Sequence, residues 1–85
     1  GPLCPFRVIE IFEAEGFQKY DPEYILVFLE NIVNTYLHNE VLLSNKETAT
    51  VMFINKQQLA KPVIKQGDKF IDLSKEKDLH IDAIL

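Results

Sequence analysis

Apolar residues recur at three- and four-residue spacing over two stretches near the start of the chain, and in short alternating runs after them. Ile25, Phe28, Leu29, Ile32, Val33, Tyr36 and Leu37 line one face of a helix, with Glu30, Asn31, Asn34 and Thr35 between them. The residues just ahead are start signals. Asp21 can accept from free N–H groups of the first turn, and Pro22 sits at the first helical position, where no N–H is needed. Tyr20 and Ile25 can close a hydrophobic staple, and Asp21 and Glu23 place negative charge at the positive end of the helix dipole. The pattern predicts a packed helix, ended by His38-Asn39, that the rest of the chain must cover.

A shorter helix precedes it. Pro5 takes its first position, Val8, Ile9, Ile11 and Phe12 point one way, and Arg7, Glu10 and Glu13 point another. Gly16 supplies a left-handed stop, with Phe17 folding back on Phe12. The link Gln18–Tyr20 is short enough for an antiparallel helix pair or a sharp corner.

After Leu37 the period shortens to two. Val41-Leu42-Leu43 opens a hairpin through the turn Ser44–Glu47, with Val41 and Leu43 facing Ala49, Val51 and Phe53, and Thr48, Thr50 and Met52 on the other side. Asn55–Lys61 is a polar loop interrupted by Leu59 and closed by Pro62. Val63-Ile64-Lys65 and Phe70–Leu73 flank Gln66-Gly67-Asp68-Lys69, a second hairpin signal because Gly67 tolerates positive φ. A charged link, Ser74–Asp78, leads to a last strand over Leu79–Leu85, where His80 and Asp82 alternate with Ile81 and Ala83. The expected class is α+β: two N-terminal helices, then a small antiparallel sheet or barrel of about five short strands. Strands so short, with turns so frequent, favour closure into a barrel or a strongly curled sheet. Residues 1–38 form the helical segment and 39–85 a small β-rich subdomain.

Composition narrows the function classes. Eighty-five residues make one small domain or a piece of a larger one. A chain of this length buries roughly 60–65% of its unfolded surface, so partners matter. Nine basic residues against thirteen acidic ones give a net charge of -4, which speaks against nucleic acid as a partner. The single cysteine, Cys4, excludes an intrachain disulfide and any cysteine-type metal spacing, in keeping with a reducing compartment. No apolar run reaches membrane-spanning length and the N-terminus lacks a signal-peptide layout, so the expectation is a cytoplasmic protein with no membrane insertion.

The sequence holds no catalytic, cofactor-binding or metal-ligating constellation. His38 and His80 lack metal-type spacing and read as a helix C-terminal residue and a strand residue on a solvated face. Glu10, Glu13 and Glu15 read as a solvated helix face, with nothing nearby to split two carboxyl pKa values. Asp68, Asp72, Asp78 and Asp82 do not have calcium-loop spacing. Ser44 and Ser74 lack a glycine-flanked elbow, Cys4 reads as a weak helix cap, and the lone Gly67 makes no phosphate-cradling loop. Lys56, Lys61, Lys65, Lys69, Lys75 and Lys77 are interleaved with acids and read as solvating charge that blunts strand edges.

Phe17-Gln18-Lys19-Tyr20-Asp21-Pro22-Glu23, then Phe28-Leu29, then Val41-Leu42-Leu43-Ser44-Asn45 with Glu47 form an order of segments that resembles the end of an HD-GYP phosphohydrolase domain. In that family a Gly-x-Gln-Phe/Tyr-Asp-Pro-Glu segment opens the final helix. Here Gly16-Phe17-Gln18-Lys19-Tyr20-Asp21-Pro22-Glu23 corresponds, with one extra residue ahead of the aromatic. Phe53-Ile54-Asn55, Pro62-Val63, Phe70–Leu73 and Leu79-His80-Ile81 are similar to the strand-rich extension of many members. Lys46 stands where the family often has glycine in the turn, and His38 where glycine often ends the helix. The family's His-Asp pair and its His-His-Glu…Gly-Tyr-Pro signature have no counterpart in this chain, so no catalytic residue carries over.

The resemblance implies a bacterial cyclic-di-GMP phosphodiesterase as parent, with a multi-metal centre of iron or manganese. This chain would be its noncatalytic C-terminal accessory region, holding no cofactor of its own. Its implied partners are the upstream catalytic domain and a possible homo-oligomer, because Val27 and part of the Leu26–Leu37 face would lie bare without the catalytic bundle. The alternatives are intrinsic hydrolytic activity and a self-standing small β-barrel that binds a ligand or partner.

Overall fold

The computed structural model describes residues 3–16 and 21–85. Helix α1 covers Pro5–Glu15, with Cys4 extended at the N-cap and Pro5 at the first position. Gly16, at φ 71°, stops it and donates its N–H to the Glu13 carbonyl at 3.1 Å. Helix α2 covers Pro22–Asn34. The Asp21 carboxylate accepts from the N–H groups of Glu23 (3.1 Å) and Tyr24 (3.5 Å), as its spacing to Pro22 predicts. The helix stops three residues short of the apolar stripe. Tyr36 and Leu37 instead bond the carbonyls of Val33 and Asn34, the tightened i→i+3 pattern of a helix end. The staple by Tyr20 and the cap contact by Phe17 fall outside the described residues.

Five strands follow: β1 (Glu40–Leu43), β2 (Thr48–Phe53), β3 (Val63–Gln66), β4 (Lys69–Asp72) and β5 (Ile81–Ile84). A 3-10 turn, Leu73–Lys75, follows β4. The sheet is antiparallel throughout, in the order β4-β3-β2-β1-β5. Strands β1 to β4 form a meander, and the segment after Leu73 carries β5 to the far side of β1. A barrel would require β4 to pair with β5, and these strands are instead the two edges of an open sheet. The apolar face of an open sheet needs a cover. Helix α1 packs on β5 and α2 on α1.

One core results, shared by both segments of the chain. It takes Phe6 and Ile9 from α1, Leu29 and Val33 from α2, and Val41, Leu43, Val51, Ile64 and Ile81 from the sheet. Leu59, Ala60 and Leu73 join from the connections. Four positions depart from the pattern read along the chain. Ile11 is exposed because it lies about 200° around the helix from Ile9, at 100° per residue, while Phe6 and Ile9 share a face. Phe28 is exposed because the inward face of α2 is centred on Leu29 and Val33. Phe53 turns outward because the β2–β3 register shifts between Val51 and Phe53. A second shift, between Leu42 and Leu43, sets Ile84 rather than Ala83 opposite Val41, so Ile81 and Ile84 face the core.

Two non-glycine residues have left-handed backbone: His38 (φ 71°) and Lys46 (φ 74°). Lys46 ends the three-residue loop of the first hairpin. Its N–H bonds the Leu43 carbonyl at 3.0 Å, the arrangement of a type I turn closed by a left-handed residue. In the second hairpin Gly67 (φ 57°) takes the equivalent strain, and a Cβ added there would meet no atom within 4 Å. Backbone conformation alone therefore sets the cost of substitution. Lys46→Gly is expected to raise stability and Gly67→Ala to lower it, each by about 1 kcal/mol, read from denaturant midpoints at unchanged slope.

Candidate functional site

The loop between β2 and β3 sends Leu59, Ala60 and Pro62 into the core. Chain that enters a core in irregular conformation brings N–H groups that need acceptors. Here α1 supplies them. Glu13 accepts from the Leu59 N–H at 2.7 Å through Oε2 and from the Ala60 N–H at 3.3 Å through Oε1. One turn earlier, Glu10 accepts from Arg7 Nη1 at 2.9 Å and lies 3.8 Å from Lys61 Nζ. Lys61 Nζ also donates to the Leu79 carbonyl at 2.9 Å, reaching the approach to β5.

The far side of the loop is held by a second carboxylate. Asn55 Nδ2 donates to the Lys61 carbonyl and to Asp72 Oδ1, the latter at 2.9 Å. That same oxygen accepts from the Ser74 N–H (3.0 Å) and Ser74 Oγ (2.7 Å), capping the 3-10 turn. A polar belt thus runs from α1 through the loop to β4 and the segment before β5.

The two carboxylates sit in opposite electrostatic settings. Burial pushes the Glu13 carboxyl above its ordinary value, helped by the nearby Glu10 charge and opposed by the two backbone N–H bonds. The Ser74 hydroxyl holds Asp72 below the usual carboxylate range despite some burial, with Asn55, the Ser74 N–H and Lys75 adding to it. Divergent carboxyl pKa values can signal acid–base chemistry. Both Glu13 oxygens and Asp72 Oδ1 are engaged by backbone, amide or hydroxyl donors, and these bonds position chain.

Glu13 therefore corrects the reading of the acidic run as a solvated face. The missed signal was Leu59-Ala60 beside Pro62: apolar residues set in a polar loop imply burial, and buried N–H groups imply an acceptor. Nothing local in the sequence marks Asn55 as the residue that bridges the loop to Asp72 of β4.

The other candidates are dispersed. His38 lies in the turn after α2, and His80 Nε2 stands 3.7 Å from Asp82 Oδ1. Ser44 Oγ donates to the Asp78 carbonyl and accepts from the His80 N–H, joining the first hairpin to the approach of β5. Cys4 is buried at the N-cap of α1 without a side-chain capping bond. Lys65 Nζ lies 5.5 Å from the ring centre of Phe70, which is paired with Phe53 on the exposed sheet face. Among the described residues no group of three or more His, Cys, Asp or Glu is placed to hold a metal ion. No helix among them is long and apolar enough to cross a membrane.

The largest apolar exposure on a single element is on α2. Tyr24, Val27 and Phe28 are 75%, 60% and 52% exposed, at the spacing of one helix face, opposite the buried Leu29 and Val33. A bare Val27 is what the family resemblance implies; the spacing of apolar residues places Phe28 on the covered side, where the structure does not have it.

Glu13→Ala would leave two buried N–H groups without a partner, an expected loss of about 2–3 kcal/mol, with faster amide exchange at Leu59 and Ala60. Glu13→Gln should cost less and alter the pH dependence. A carboxyl raised in the folded state stabilises most when protonated. The wild type should therefore lose stability relative to Glu13→Gln as pH rises from 4.5, the ordinary value, through the raised one. Parallel denaturation series from pH 4 to 8 read this difference.

Compared with protein-family models, curated proteins and solved structures, the chain matches none at a significant level.

Proposed function

We propose that this chain is the noncatalytic C-terminal packing region of an HD-GYP-type phosphohydrolase. Residues 1–38 complete the parent's helical domain, and 39–85 form a small sheet built onto the same core. The observation that carries the reading is the backbone at His38 and Lys46. They are the two positions where the resembling family often has glycine, and among the described residues they are the two non-glycine residues with positive φ. Glycine is the residue that a left-handed position favours, so the family pattern and this backbone ask for the same thing at both places.

Two further features support it. Of Tyr20-Asp21-Pro22-Glu23, the most specific part of the resemblance, the described residues Asp21–Glu23 work as a helix start through the Asp21 carboxylate. Tyr24, Val27 and Phe28 present apolar area on the side of α2 away from the core, where a neighbouring helical domain would pack.

The parent's chemistry is phosphodiester hydrolysis, for which iron or manganese ions would activate water and stabilise charge on the phosphate oxygens. The family's motif positions have no counterpart in the sequence, among the described residues no group is placed to hold a metal ion, and Glu13 and Asp72 accept from backbone, amide and hydroxyl donors. What this chain contributes is a packing surface and a capped end to the helical domain. Its proposed setting is cytoplasmic.

Incubation of the chain with cyclic-di-GMP and manganese or iron is expected to give no turnover. Measurable hydrolysis would overturn the proposal. The coding sequence upstream of Gly1 should carry an HD pair and a Gly-Tyr-Pro signature within one domain's length, and a different upstream domain would overturn it equally.

A further inference from the structure

The net charge of -4 is confined to one part of the molecule. Residues 1–38 hold Arg7 and Lys19 against Glu10, Glu13, Glu15, Asp21, Glu23 and Glu30, while residues 39–85 hold seven lysines against seven acids. Helix α2 contains no lysine or arginine at all. Glu23 lies four residues before Val27 and Glu30 three after it, so both fall on one flank of the exposed stripe.

We infer that the stripe Tyr24-Val27-Phe28 seats a basic amphipathic helix, whose apolar side chains cover the stripe while its lysines or arginines meet Glu23 and Glu30. Exposed apolar area on a helix is covered most economically by another helix, through three- and four-residue ridges. The acidic flank decides what kind. A second copy packed antiparallel would set one acidic flank against another, a parallel one would leave both flanks without a cation, and nucleic acid or an anionic membrane surface would be repelled. A helix with cationic flanks gains at both steps, in steering and in register. The inference rests on the proposed function only for where that helix lies in the parent; its chemistry follows from α2 alone.

Three labelled peptides added to the full chain test this by fluorescence anisotropy. The first carries leucines at helical spacing with lysine flanks, the second the same leucines with glutamate flanks, and the third is a scramble of the first. The lysine-flanked peptide should bind about tenfold more tightly than the other two at low salt, with the preference over the glutamate peptide shrinking near 1 M salt. Val27→Asp, at an exposed site, should abolish binding with an unchanged circular dichroism spectrum, and Phe53→Asp on the sheet should leave binding intact. Reversing the flank with Glu23→Lys and Glu30→Lys should transfer the preference to the glutamate-flanked peptide.

Equal binding of the three peptides, or binding that survives Val27→Asp, overturns the inference. So does a concentration-dependent dimer, lost in Val27→Asp, from a chain that takes no peptide. None of these readouts depends on turnover or on the upstream coding sequence. Failure of the peptide alongside an upstream HD pair therefore sinks this inference alone, and binding alongside an unrelated upstream domain sinks only the proposed function.

Discussion

The structure depends on finding acceptors for two N–H groups. A small chain cannot fill its core from regular elements alone, and here the loop between β2 and β3 must contribute Leu59, Ala60 and Pro62. Bringing irregular backbone inside is tolerable only when its donors are met. Glu13 meets them from a helix 46 residues earlier in the chain. The bond thereby sets where α1 lies, and α1 covers β5, the strand that completes the edge beyond β1.

This constraint explains why the molecule is not two units. Residues 1–38 and 39–85 differ in period, charge and element type, which invites a boundary between them. Yet Phe6, Ile9, Leu29 and Val33 are buried in the same cluster as Val41, Val51 and Ile64. Asp72, Asn55 and Lys61 extend the tie across the sheet end, so that α1, the loop and the 3-10 turn are held by one connected set of polar contacts. The open sheet is stable in this form because the helical cover replaces the strand pairing that a closed barrel would provide.

The parts of this arrangement that are local were legible in the sequence. Asp21-Pro22 and Gly16 mark helix ends by their own chemistry, and Gly67 marks a hairpin, so those elements lie where the pattern places them. Register shifts are another matter. The outward turn of Phe53 and the inward turn of Ile84 follow from irregular pairing between strands, which no alternation within one strand announces. The polar belt was hidden for a similar reason. Glu13 and Asn55 are ordinary surface residue types, and their roles exist only through partners far away in sequence. Phe28 was misplaced because α2 is apolar on both sides, and spacing alone does not say which side is covered.

The position of β5 has a consequence for how the molecule is made. It is the last of these elements to be synthesised, yet it lies between the strand pairing of β1 and the underside of α1, the first. Until Ile81 arrives, α1 lacks the strand it packs on, and Phe6 and Ile9 have only α2 and the earlier part of the sheet to share a core with. The cover of α1 is thus completed only when β5 pairs with β1, and a chain lacking Ile81 would expose apolar area of α1 that the whole fold buries.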